Sequence, residues 1–120
     1  MPLATLDVVA LDCRDPFALA GFYAALVGGT PVHSEEDWVV LEGHGGTTLA
    51  FQLAPGHVPP KWPSDDGSQQ LHLDFRVDDL EAVEREVLAL GATLLDAGTP
   101  DRTWRVYADP AGHPFCLCGS

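Results

Sequence analysis

The strongest constraint on this chain is internal repetition, because one order of landmarks occurs twice at a nearly fixed offset. The run Leu6 to Asp15 (LDVVALDCRD) leads into an apolar stretch ending at Gly28, then Trp38-Val39-Val40, a glycine pair and Phe51-Gln52-Leu53. The second half repeats the order: Leu71 to Asp79 (LHLDFRVDD), a stretch ending at Gly91, Trp104-Arg105-Val106, a turn at Gly112, and Phe115-Cys116-Leu117. Asp15 and Asp79 lie 64 residues apart, Gly28 and Gly91 63, Trp38 and Trp104 66, and Phe51 and Phe115 64. A fixed offset of this kind marks a duplicated supersecondary unit. It also says which residues hold equivalent places, and chemistry is sought where the copies differ.

With 120 residues, the chain has enough surface to bury for one core but not for two independent ones. The expected organisation is a single domain over 1–120, with module 1 at about 4–54, a linker at 55–69 and module 2 at about 70–118. Hydrophobic residues make up 46% and charged residues 20%, as in a globular chain, and no apolar run reaches the ~20 residues of a membrane span. The first residues do not resemble a basic, apolar-cored leader, so none is expected. Three cysteines, an odd number, with Cys116 and Cys118 badly placed to bridge each other, suit a reducing compartment. The expectation is therefore a cytoplasmic protein with no membrane partner. A net charge of −12 repels phosphate backbones and argues against nucleic acid as a partner.

Local signals give the elements. Residues 5–13 alternate loosely and are rich in Val and Leu, which predicts a strand. Asp15-Pro16 predicts a helix start, with Asp as N-cap and Pro at the first helical position. This helix is expected to run to about Leu26 with Phe17, Ala20, Ala24 and Val27 on its apolar side, and to stop at Gly28-Gly29. Strands follow near 30–33, 38–42 and 47–53. The second copy predicts a strand at 70–77, a helix from Asp78 or Asp79 to Leu90, and strands near 93–95, 103–108 and 114–118. Leu80, Val83, Val87 and Leu90 carry the helical apolar spacing, and Glu81, Glu84, Arg85 and Glu86 are expected in solvent. The fold class is α+β, built from two βαβββ modules. Four prolines between Ala54 and Ser68 exclude a regular element there, and Lys61-Trp62 is a candidate cover for a pocket.

Period-two reasoning sorts the strand faces. In Leu71 to Val77, Leu71, Leu73, Phe75 and Val77 face the helix, while His72, Asp74 and Arg76 face away. Phe115 and Leu117 face the helix, so Cys116 and Cys118 share the side of His72. In the first copy Leu49, Phe51 and Leu53 face the helix and Thr48, Ala50 and Gln52 the other side. At an offset of 64, His72 corresponds to Val8 and Cys116 to Gln52. These four positions form the candidate site.

The combination of D-P, Phe22-Tyr23 and Gly28-Gly29 in the first half with HLDFRVDDL, LGA and DPAGHPF in the second resembles the vicinal-oxygen-chelate superfamily, and in particular its glyoxalase-like domain proteins. Its members include glyoxalase I, extradiol dioxygenases, fosfomycin-resistance proteins and bleomycin-binding proteins. The resemblance spans the whole chain. It implies two βαβββ modules forming a cup-shaped curved sheet, with helices on the outer face, and a homodimer. It also implies a small-molecule ligand and, in metal-using members, His or Gln and then Glu as ligands from the first and last strands of a module. Carried over, those places fall on Val8, Gln52, His72 and Cys116. Val8 offers no donor atom, and a thiol stands where the pattern has a carboxylate.

Three readings follow. A divalent metal is held by His72 and Cys116 with help from Gln52 or Cys118. Alternatively, Cys116 is a nucleophile with His72 as its base and Asp74 nearby, the catalytic pair then being His72 and Cys116. The third is small-molecule binding of the glyoxalase/bleomycin-resistance type without the usual metal tetrad, in a pocket lined by Gln52, Asp74, Trp62, Trp104 and Cys118. In that reading Trp38 and Tyr107 are further candidates for stacking on a planar ligand. Val8 favours the third reading, with no cofactor. The alternative is a lyase or isomerase acting on a small carbonyl or oxygenated metabolite, using a divalent metal on His72 or the Cys116/His72 site. Asp109 is expected to form a turn, and His33, His44, His57 and His113 to lie at the surface.

Overall fold

The computed structural model describes residues 2–61, 67 and 70–119. Trp62 lies outside them, so the expected role of Lys61-Trp62 as a cover falls outside the described residues too. The chain divides into two units, Met1–His57 and Val58–Ser120. Among the described residues no helix is long and apolar enough to cross a membrane.

The first unit runs β1 (Val8–Cys13), α1 (Pro16–Val27), β2 (Thr30–Glu35), β3 (Trp38–Glu42) and β4 (Thr48–Leu53). Its sheet has the order β1-β4-β3-β2, with β1 parallel to β4 and the other pairs antiparallel. The Asp15 carboxylate accepts from the Ala18 amide at 3.1 Å, Pro16 follows it, and the Gly28 amide donates back to the Ala24 carbonyl at 2.8 Å. Gly29 permits a close approach: a side chain there would place its Cβ 2.7 Å from the Glu42 carbonyl oxygen. The helix-facing side of the sheet (Leu11, Cys13, Val39, Leu41, Leu49, Phe51) is buried, as are Leu19, Ala20, Phe22 and Tyr23 of α1. Tyr23 stacks on Phe51 with ring centroids 5.8 Å apart.

The buried side of α1 therefore differs from the one expected. Phe17 is exposed and stacks on the His33 ring, centroids 4.8 Å apart. The sequence PFALAGFYAALV is apolar around nearly the whole circumference of the helix, so periodicity alone carries no phase. Packing against the sheet sets it.

The second unit runs β5 (Leu73–Arg76), α2 (Leu80–Ala89), β6 (Thr93–Asp96), β7 (Trp104–Ala108) and β8 (Pro114–Cys118). The order β5-β8-β7-β6 and the parallel β5/β8 pair repeat those of the first unit. Asp79 caps α2 through the Ala82 amide at 3.1 Å. Phe115, Leu117 and Tyr107 are fully buried on the helix side, Tyr107 stacking on Phe115 at 5.4 Å. This overturns the expectation that Tyr107 is available to a ligand, since its ring lies on the opposite face from Cys116. Glu84, expected in solvent, is drawn inward for the same reason. A buried phenol needs a partner, and the Tyr107 hydroxyl donates to Glu84 Oε1 at 2.8 Å while Arg105 pairs with Glu84 Oε2 at 3.1 Å.

Asp109 forms the turn expected of it. Its buried carboxylate accepts from the Ala111 amide at 2.8 Å and the His113 amide at 3.0 Å, closing the β7–β8 hairpin. At Gly112, φ is +90° and a Cβ would meet Pro59 Cβ at 2.4 Å, so the hairpin carries the end of the proline-rich segment against it.

Two stability predictions follow from these contacts. Gly112→Ala combines a disfavoured backbone with a clash and should cost roughly 2 kcal/mol or more, read as a lowered urea midpoint. Burial first, then the Glu84 hydrogen bond and charge, push the Tyr107 phenol well above its ordinary 10.0. The folded state keeps this proton after the unfolded chain has lost its own. Its contribution is therefore intact below about pH 10 and declines as pH rises further. Urea midpoints should fall with pH in this alkaline range for the wild type, and less steeply for Tyr107→Phe.

Candidate functional site

The pairing of first strand with last strand decides which side chains meet. In the second unit Asp74 lies opposite Cys116 and Arg76 opposite Cys118, while β7 places Val106 opposite Cys116 and Trp104 opposite Cys118. Directly opposed residues project to the same face. The side of this sheet away from α2 thus carries Asp74, Arg76, Cys116, Cys118, Val106 and Trp104, with His72 just before β5. Here the expected facing holds.

The corresponding face of the first unit is Val8, Ala10 and Asp12 opposite Thr48, Ala50 and Gln52, with Trp38 opposite Gln52. Comparison of the two ladders corrects one equivalence. Val9 pairs with Leu49, whereas Leu73, 64 residues after Val9, pairs with Phe115, 66 residues after Leu49. The offset is thus 64 on the first strand and 66 on the last two, so Cys118 rather than Cys116 corresponds to Gln52. Each of these two faces a tryptophan, Trp104 and Trp38. Cys116 corresponds to Ala50, Asp74 to Ala10 and His72 to Val8. A shift of two residues preserves the face, which is why the facing prediction survived the wrong register.

The result is a sharp asymmetry. Three positions that are Val, Ala and Ala in the first unit are His72, Asp74 and Cys116 in the second, and their donor atoms all lie within 4.8 Å of one another. His72 Nε2 is 3.2 Å from Asp74 Oδ1. The His72 and Asp74 side chains are 34% and 62% exposed, whereas Cys116 is buried. Burial above all, then the Asp74 carboxylate beside it, pushes the Cys116 thiol from 9.0 up to about 12. Cys118 is pushed up as well, by burial and then by Asp74. Such thiols stay protonated near neutral pH. A catalytic nucleophile needs the reverse, a thiolate stabilised by nearby positive charge. The arrangement therefore does not favour the reading of Cys116 as a nucleophile.

The other candidates separate clearly. Gln52 is exposed in the first unit, on β4. Trp104 is 38% exposed and lies under the Arg102 guanidinium, 3.7 Å from its ring centroid, while Arg102 also pairs with Asp96 at 3.2 Å. This Arg102–Asp96–Trp104 group was missed at the level of sequence. Only Arg102 and Asp101 in a turn-rich run hinted at it, and a register shift between Leu94 and Asp96 is what brings Asp96 opposite Val106. The Arg102 hydrogen bond, followed by the Gly98 amide, holds the Asp96 carboxyl below its usual range.

The fold and these positions can be set beside known proteins. The family model of the glyoxalase-like domain matches residues 8–118. The chain belongs to that family. Among solved structures it is similar to a glyoxalase/bleomycin resistance protein/dioxygenase family enzyme from Burkholderia phytofirmans PsJN, with 24% identity over 97% of this chain and 98% of that one, TM-score 0.71. A glyoxalase-related enzyme from Fulvimarina pelagi is 22% identical over 98% of this chain and 89% of that one, TM-score 0.70. The fosfomycin resistance protein FosX from Mesorhizobium loti is 15% identical over 100% of this chain and 94% of that one, TM-score 0.70. Identities this low establish a shared fold. No curated protein matches the sequence.

The environment of Cys116 makes a prediction about reactivity. A thiol at about 12 in place of 9.0 carries on the order of a thousandfold less thiolate at about pH 8. Alkylation of Cys116 by iodoacetamide, followed by peptide mass spectrometry, should be much slower than that of a free thiol. Asp74→Asn, which removes the neighbouring charge, should speed it.

Proposed function

We propose that the protein binds a small oxygenated molecule, in the manner of the glyoxalase and bleomycin-resistance proteins, on the face of the second sheet that carries His72, Asp74 and Cys116. The observation that carries this reading is the asymmetry of the duplication: the second unit has gathered three polar, chemically competent groups where the first has Val8, Ala10 and Ala50. Groups of this kind on one face of a sheet fix the orientation of a ligand's polar end. The pair of His72 and Asp74 offers a donor and an acceptor, and Trp104 on the same face, backed by the Arg102 guanidinium, offers a flat apolar surface.

A second reading rests on the donor atoms of His72, Asp74 and Cys116 lying within 4.8 Å of one another. Three protein ligands with an open position are the usual provision of a catalytic metal site, and the donor set of imidazole, carboxylate and thiol suits a borderline dication. When bound, such an ion supplies Lewis-acid polarisation of a carbonyl or hydroxyl oxygen. On that reading the chemistry is lyase or isomerase action on a small carbonyl metabolite. The protein's own part would be to hold the ion on His72, Asp74 and Cys116 and to orient the substrate against Trp104.

The test is a ligand screen by tryptophan fluorescence and thermal shift, with bleomycin, fosfomycin and small carbonyl metabolites as probes and with chelator present throughout. At least one class should bind, and His72→Ala should weaken it about tenfold, ~1.4 kcal/mol. Binding that neither His72→Ala nor Asp74→Asn alters would move the site elsewhere.

A further inference from the structure

The superfamily resemblance distributes metal ligands over both halves of the duplicated chain, and the first half departs from that pattern at the equivalent positions. At the places of His72, Asp74 and Cys116 it carries Val8, Ala10 and Ala50, none of which has a side-chain donor. Gln52 does have one, but it corresponds to Cys118, which is outside the donor cluster. We infer that the second unit by itself forms a cation site of three donors, His72 Nε2, an Asp74 carboxylate oxygen and Cys116 Sγ, selective for thiophilic dications such as zinc and cobalt over magnesium and manganese.

Three observations support the inference. The donors converge: all three atoms lie within 4.8 Å of one another, and His72 and Asp74 already sit at 3.2 Å. Ligands on one tetrahedral zinc are roughly 3.4–3.7 Å apart, so only a modest contraction is needed, and it falls to the His72 and Asp74 side chains, which are more exposed than Cys116. Next, the site rests on paired backbone, because Asp74 and Cys116 are directly opposed across a parallel ladder. That ladder fixes the backbone of two of the three ligands before any ion arrives. Last, one nitrogen, one oxygen and one sulfur make too few hard donors for magnesium or calcium, which take six or more oxygens. A sulfur donor among so few selects softer ions.

The neighbouring carboxylate fits the same picture. A dication between Asp74 and Cys116 would accept carboxylate and thiolate together. Uptake is then a metal-for-proton exchange: the Cys116 Sγ–H bond breaks, an S–metal bond forms, and the proton leaves to solvent.

The inference deepens the metal reading of this site and is independent of any small-molecule ligand, so its test uses metal alone. Protein stripped with chelator is titrated with Co²⁺ and followed by absorption. The expected result is one equivalent bound, with an intense near-ultraviolet thiolate-to-cobalt charge-transfer band. Zn²⁺ should abolish the band, excess Mg²⁺ should leave it, and each equivalent bound should release about one proton at neutral pH. Cys116→Ser should lose the band and Asp74→Asn should weaken uptake at least tenfold, while Cys118→Ser and Gln52→Ala should keep both. Far-UV circular dichroism of every variant confirms that it is folded. Absence of uptake, cobalt bound without the sulfur band, or a band that follows Cys118 in place of Cys116 would each overturn the inference. Because the ligand screen above is run with chelator present, failure here leaves the small-molecule reading standing, and failure there leaves this one.

Discussion

The structure depends on one backbone interaction made twice, the parallel pairing of the first strand of each module with its last. In a βαβββ unit the helix carries the chain from the first strand over to one face of the sheet, and three antiparallel strands then return it so that the fourth lies beside the first. Parallel strands need a crossover of this kind, and helices α1 and α2 supply it. Residues about forty apart in sequence thereby become direct neighbours: Val8 with Thr48 in one unit, Asp74 with Cys116 in the other.

That pairing divides each module into two chemical environments. On the helix side, phenylalanine, leucine and tyrosine side chains are sealed from water, and the buried Tyr107 hydroxyl is answered by Glu84 and through it Arg105. On the other side the two units have diverged. The first presents valine and alanine beside Asp12 and Gln52, and the second presents imidazole, carboxylate and two thiols. Duplication supplies two copies of a scaffold whose stability resides on the helix side, which leaves the opposite face free to change. Fold and function are to that extent separable in this chain, and membership of the glyoxalase-like family fixes the first without fixing the second.

Much of the arrangement was legible in the residues. Asp15-Pro16 and Asp79 announced both helices because their carboxylates satisfy amides that the first turn leaves open. Alternation placed His72, Asp74, Cys116 and Cys118 on one face because the pleat has a period of two. Other features were not legible, each for a definite reason. The phase of α1 was hidden because the helix is apolar on every side, so Phe17 and Leu19 exchanged roles between sequence and structure. The ladder offset was hidden because residues between the helix and the last strand differ in number between the copies, and landmark spacing averages over that difference. Tyr107 read as a candidate for stacking on a ligand until β7 paired with β8 and turned it under α2.

The sequence by itself determined the duplicated α+β plan, the strand faces and the lack of a donor at Val8, because these follow from local periodicity, capping and residue type. Only the tertiary structure decided that Asp74 stands beside both His72 and Cys116, that Arg102 and Asp96 join Trp104 on that same face, and that Cys118 is the counterpart of Gln52. Those facts depend on registers between strands distant in the chain, and a register is set by how whole faces pack and by where a strand shifts by a residue. No single stretch of sequence contains that information.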